Sequence, residues 1–156
     1  LAMAAGIATL EVLKSEKLVE AAAKRGAELR LALTRMVPGY ELLKEVRGKG
    51  LMIGIEFGPP KSLRLKASWT MLESANKGLF CQLITVPLFK DHKILTQVAG
   101  HGLHTIKLLP PLTITEDDCA WIERAFDDTI AASHKVPGAI WSLGKTLVDN
   151  AVRKSA

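Results

Sequence analysis

Apolar positions along this chain come first as a dense block, then as a stripe, then as short runs. Residues 2–13 (AMAAGIATLEVL) are strong helix formers with apolar side chains on several sides. They predict a helix able to bury more than one face. Ser15 reads as the cap of a second helix. In that helix Leu18, Ala22, Gly26, Leu29, Leu33 and Met36 recur at intervals of three and four, an amphipathic stripe. Gly26 weakens the helix it sits in, so a close approach by another backbone is expected there. Pro38-Gly39 ends the stripe.

The pattern then shortens. Residues 42–48 (LLKEVRG) and 51–57 (LMIGIEF) predict two strands, joined tightly through Arg47-Gly48-Lys49-Gly50. Gly54 interrupts the second strand, which predicts something packed closely over that point. Residues 62–91 carry a weaker signal. Leu63, Leu65, Ala67, Trp69, Met71 and Leu72 fit a helix loosely, and Leu79, Leu83, Val86 and Phe89 suggest another over 78–91, kinked or begun by Pro87. A third strand is expected over 94–99, then a loop at Gly100-His101-Gly102, then a fourth strand over 105–109. Pro110-Pro111 ends the pairing, since neither can donate a ladder hydrogen bond. Thr115, with Asp118 three residues on, predicts a capping box, and Glu116, Asp117 and Asp118 suit a positive helix N-terminus. Cys119, Ile122, Phe126 and Ile130 form the buried stripe of that helix. A break at 135–138 precedes a last amphipathic helix over 139–154, through Ile140, Leu143 and Leu147. This order predicts an α/β (two-layer α+β) domain: a small, mostly antiparallel sheet with helices gathered on one face.

Composition narrows the class. With 48% apolar and 24% charged residues in a chain of 156, the protein is globular and long enough for one real core. Aromatics are only 5%, so aliphatic side chains must build most of that core. The net charge of +5 invites a nucleic-acid reading. The lysines and arginines are scattered among acids, however, with no basic stripe interleaved with aromatics, and no nucleic-acid partner is expected. No apolar run approaches the roughly 20 residues of a membrane span. The opening block lacks the basic leader and cleavage site of a signal peptide. Cys81 and Cys119 both fall on predicted apolar helix faces and read as buried thiols, which fits a cytoplasmic setting.

Candidate chemistry is sparse. No serine sits in a Gly-x-Ser-x-Gly elbow, and the glycine pair at 48–50 is too short for a phosphate loop. His101 and His104 have no nearby cluster of further ligands and make a poor metal site. Trp69, Trp121 and Trp141 fall on three different elements and read as packing residues or edge anchors. The carboxylates gather at helix starts, where caps explain them. One charge stands out: Lys107, inside the apolar strand before the double proline. By itself it reads as a strand lysine whose stem lies on apolar neighbours while its ammonium faces water.

Three stretches in order carry a family resemblance. LAMAAGIATLEVL, EVRGKGLMIGIEF and IKLLPPLTITEDD resemble the linking helix, the Arg-Gly-x-Gly-Leu-Met-x-Gly strand pair, and the last strand, double proline and capped helix of one known domain. That domain is the C-terminal small domain of class III aminotransferases, fold type I enzymes that use pyridoxal phosphate. The likeness covers roughly residues 1–134, with 1–14 the helix linking to a large domain; 135–156 would be an appended helix. The resemblance implies a parent that moves an amino group between an amine or amino acid and a keto acid or aldehyde, works as a homodimer, and carries its cofactor lysine on the large domain. This chain alone would then hold no pyridoxal phosphate and be inactive. Many members carry an arginine at the position of Lys107, where its planar fork grips a substrate carboxylate. Lys107 keeps the charge and loses the two-point grip. Two other readings stay open: a free-standing binding or oligomerisation module of similar layout, and a fragment of a related mutase or decarboxylase, since the cofactor's surroundings decide which bond breaks.

Overall fold

In the computed structural model, residues 1–138, 141, 142 and 144–146 are described. Among the described residues, five α-helices and four strands follow in chain order: α1 (Ala2–Ser15), α2 (Leu18–Met36), β1 (Leu43–Lys49), β2 (Met52–Phe57), α3 (Leu63–Ala75), α4 (Leu79–Lys90), β3 (Gln97–Val98), β4 (Thr105–Leu108) and α5 (Glu116–Ser133). The strands form one antiparallel sheet in the order β1-β2-β4-β3. The α/β class, the small antiparallel sheet and the helices on one face are as expected.

Alternation decides which face is buried. Ile53, Ile55 and Phe57 of β2 and Ile106 and Leu108 of β4 point into the core, where they meet Leu29 and Leu33 of α2, Phe80, Leu83 and Ile84 of α4, and Phe126 and Ile130 of α5. Met52, Gly54 and Glu56 alternate with them and point the other way. That second face carries none of the described helices. Each fully buried aliphatic side chain on the covered face stabilises the fold by about 1.5–3 kcal/mol.

Gly26 behaves as the stripe predicts. A Cβ there would lie 2.1 Å from the Gly50 carbonyl oxygen, so α2 rests with its backbone directly on the β1–β2 turn. Thr115 caps α5 as expected: its hydroxyl accepts the Asp118 N–H at 3.1 Å, and the Asp118 carboxylate accepts the Thr115 N–H at 2.9 Å. Trp69 is buried against Phe80, while half-exposed Trp121 donates its indole N–H to the His92 carbonyl at 3.0 Å, an edge anchor.

Several expectations need correction. Ser15 does not cap α2. It is the last residue of α1, and its hydroxyl back-bonds to the Val12 carbonyl, while Lys17 makes the turn in a left-handed conformation. Residues 2–13 are helical as expected, and none of them is buried. The third strand shrinks from 94–99 to Gln97–Val98, because its earlier polar groups are used elsewhere. The Ile94 N–H goes to the Leu88 carbonyl at 2.9 Å, and the Thr96 hydroxyl donates to the Lys107 carbonyl. Pro87 lies inside α4, which leaves out the second of its two expected roles, marking the helix start. Cys81 is buried as expected, whereas Cys119 is only half-buried. The helix expected over 139–154 falls mostly outside the described residues.

Candidate substrate-facing surface of the sheet

The bare face of the sheet is ordered in cross-strand rows. Arg47 pairs with Gly54, Gly54 with Lys107, and Lys107 with Gln97, so the four residues form one row across β1, β2, β4 and β3. The neighbouring row holds Glu45, Glu56 and Thr105. Arg47 bonds both acids, Glu45 at 3.1 Å and Glu56 more closely, and these contacts push its pKa up, Glu56 first. Lys107 stands two strands away. Among the described residues it has no ion-pair partner. The row therefore presents one neutralised cation, a gap at Gly54, and one free cation. On the far side of the row, Met52 and Leu109 are exposed apolar side chains.

Alternation in 105–109 foretold that Lys107 would face away from the core. That Arg47 and Lys107 share a row was not legible, because register between distant strands is set by the whole sheet. A second polar contact was also missed. His104 Nε2 lies 3.3 Å from the Glu73 carboxylate, with the imidazole ring against Trp69, and the same carboxylate accepts the Gly78 N–H at 3.1 Å. His104 thus holds the start of β4 to the α3–α4 connection. His101 takes no part in it. No group of three or more metal-ligating side chains suited to a metal ion occurs among the described residues.

A pyridoxal phosphate site needs an amine free to meet the aldehyde, an acid at the ring nitrogen, and donors for the phosphate. The groove that best resembles one lies past the end of β4. It has a volume of about 480 Å³ and is lined by both Lys93 and Asp118. The Lys93 ammonium is bonded to the Lys90 carbonyl at 2.6 Å. The Asp118 carboxylate is committed to Thr115, whose hydroxyl and then backbone N–H hold it below the usual carboxylate range. Lys93 and Asp118 form no ion pair. The residues lining this groove do not fit the cofactor.

The cysteines offer no reactive centre either. Burial, with Glu73 adding to it, pushes the Cys81 thiol up to about 12, and partial burial raises Cys119 as well. Both are protonated at neutral pH, and a thiolate is what a nucleophile requires. No described helix is long and apolar enough to cross a membrane.

A one-sided sheet whose bare face carries a free cation is the kind of surface an α/β enzyme domain turns toward a partner or a small anion. Solved structures of the same layout include aminotransferases. One, an acetylornithine aminotransferase from Elizabethkingia anophelis, superposes with a TM-score of 0.58 at 28% identity, over 80% of this chain and 28% of that one. Another is an amine transaminase from an uncultivated Pseudomonas species, solved in its PLP-bound form. It superposes with a TM-score of 0.60 at 29% identity, over 82% of this chain and 26% of that one. In sequence, a diaminobutyrate–2-oxoglutarate aminotransferase of Rhizobium meliloti is 36% identical over 125 residues, 80% of this chain and 26% of the relative. The mitochondrial alanine–glyoxylate aminotransferase 2 homolog 2 of Arabidopsis thaliana is 31% identical over 123 residues, 79% of this chain and 24% of the relative. The family model described as aminotransferase class-III matches residues 1–130. The chain belongs to the class III aminotransferase family. It spans about a quarter of the length of the curated relatives it matches.

Proposed function

We propose that this chain is the C-terminal small domain of a class III aminotransferase, with the domain over 1–134 and an appended segment over 135–156. In the complete enzyme the domain turns its bare sheet face toward the active site, and Lys107 contacts a substrate carboxylate. The observation that carries this reading is the free cation at Lys107 beside an Arg47 already neutralised by two acids. A carboxylate arriving at this face gains most at Lys107, because Arg47 must first give up its own partners.

The rest of the enzyme supplies the pyridoxal phosphate, which provides the aldehyde and electron sink for moving an amino group between an amine or amino acid and a keto acid or aldehyde. The present residues contribute substrate contact and a lid, and the domain alone is inactive. The parent acts as a homodimer, and its two unpaired cysteines in this domain suit a cytoplasmic setting. A lysine grips a carboxylate through one point where an arginine grips through two, so the contact at this position is weaker and less directional.

The test is Lys107→Met in the complete enzyme, assayed with a carboxylate-bearing amino donor and with a neutral amine. The variant raises KM for the carboxylate donor about tenfold or more, the cost of one lost charge-assisted contact, and spares the neutral amine. Equal kinetics with both donors would remove Lys107 from the site.

A further inference from the structure

We infer that Gly54 is a specificity determinant of the parent enzyme: its missing side chain leaves the notch through which a substrate carboxylate reaches the Lys107 ammonium. The inference rests on the role of Lys107 proposed above and adds a second residue to it.

Gly54 lies in β2, an inner strand of the sheet between β1 and β4. A glycine there weakens the strand, since it adds backbone entropy to the unfolded chain and packs nothing. Other glycines have reasons within the domain. Gly48 combines a φ of +154° with a Cβ position 2.1 Å from the Met52 carbonyl oxygen, and Gly26 lies on the Gly50 backbone. Gly54 has neither reason. Its φ is outside the left-handed region. A Cβ added to it would meet the Thr105 methyl at 3.4 Å and the Arg47 carbonyl oxygen at 3.8 Å, ordinary van der Waals contact. The domain itself does not ask for glycine here. What the absent side chain does is keep the space between Arg47 and Lys107 open on the bare face.

The occupant of that space follows from charge. Glu45 and Glu56 outweigh Arg47 by one negative charge on one side of the notch, while Lys107 on the other side has no ion-pair partner among the described residues. An anion entering over β2 meets one free ammonium, with the Thr105 methyl and the Arg47 Cγ flanking the Gly54 position at 3.4 and 3.9 Å. The carboxylate of the substrate is the group of matching charge.

Gly54→Ala and Gly54→Leu test this in two settings. In the 156-residue chain, urea unfolding of Gly54→Ala shows a midpoint equal to or above that of the unsubstituted sequence. A lower midpoint would make the glycine structural and overturn the inference. In the complete enzyme, KM for a carboxylate-bearing donor rises relative to that for a neutral amine, modestly with Ala and by about tenfold or more with Leu, as misplaced methylenes do in a fitted site. An equal rise for both donors overturns the inference and puts backbone of the remaining polypeptide over Gly54; no change for either overturns it too. Lys107→Met is run alongside. If it has no effect, the reading of Lys107 falls. If it has its effect and Gly54→Leu has none, only the notch falls.

Discussion

Gly26 and Gly50 show what a single missing side chain can do inside the fold. The two backbones touch where α2 crosses the β1–β2 turn, and a methyl on Gly26 would sit 2.1 Å from the Gly50 carbonyl oxygen and 2.8 Å from its Cα. No rotamer can relieve a contact with backbone, so α2 must lift away from the sheet. Overpacking of this kind costs about 1–3 kcal/mol, which outweighs the helix preference of alanine over glycine, about 1 kcal/mol. Gly26→Ala is therefore expected to lower the urea midpoint, and Gly6→Ala, with nothing within 4 Å, to leave it or raise it. A stabilised Gly26→Ala would mean that α2 does not seat there. Gly26 was legible in the sequence because a glycine inside a regular helical stripe weakens the helix unless a neighbouring backbone needs the room. That Lys107 faces away from the core was legible on similar grounds, as a charge breaking an apolar run. The Glu73–His104 contact was not, because nothing local ties a residue of α3 to one at the start of β4.

Helix starts divide by where their caps come from. α5 is capped from within: Thr115 and Asp118 satisfy each other's backbone N–H groups, a pattern written in four consecutive residues and read correctly from them. α3 is not. Ser62 at its start makes no side-chain cap, and the Glu41 carboxylate instead accepts the Lys61 and Ser62 N–H groups at 2.9 and 2.8 Å, which holds its pKa below the usual range. That partner lies some twenty residues upstream, so the start of α3 was blurred in sequence. The same logic shortened β3: the Ile94 N–H is bonded to α4, and the Lys107 carbonyl on β4 accepts the Thr96 hydroxyl. Thr115→Ala is expected to cost about 1 kcal/mol at neutral pH. The linked acid gives a sign as well. Asp118 has a depressed pKa in the folded chain, so its contribution is complete above the ordinary carboxylate pKa of about 4 and is lost as pH falls through the lower folded value. The stability gap between the unsubstituted sequence and Asp118→Asn, measured by urea unfolding, should then narrow on acidification. A gap that widens would contradict the capping assignment.

At the scale of the whole molecule, burial is lopsided. The helices α2, α4 and α5 and one face of the sheet share a core with Phe57, Phe80 and Phe126 fully enclosed. The other sheet face is bare of described helices. α1 contributes no buried residue at all, although Met3, Ile7, Leu10 and Val12 are apolar and exposed, Ile7 and Leu10 to 59% each. The pattern of residues 2–13 announced a helix with apolar sides, and that was right; the same pattern does not say what those sides meet, and no residue of α1 is buried. Apolar surface of this extent is costly in water and marks a face built for contact. It also means that α1 holds little of the domain's own stability, since burial is what stabilises a helix of fourteen residues. Removing residues 1–15 should therefore leave a cooperative urea transition with a midpoint close to that of the whole chain, while the fluorescence of the apolar dye ANS falls as exposed surface is lost. Loss of the cooperative transition would show instead that α1 braces the core through α2.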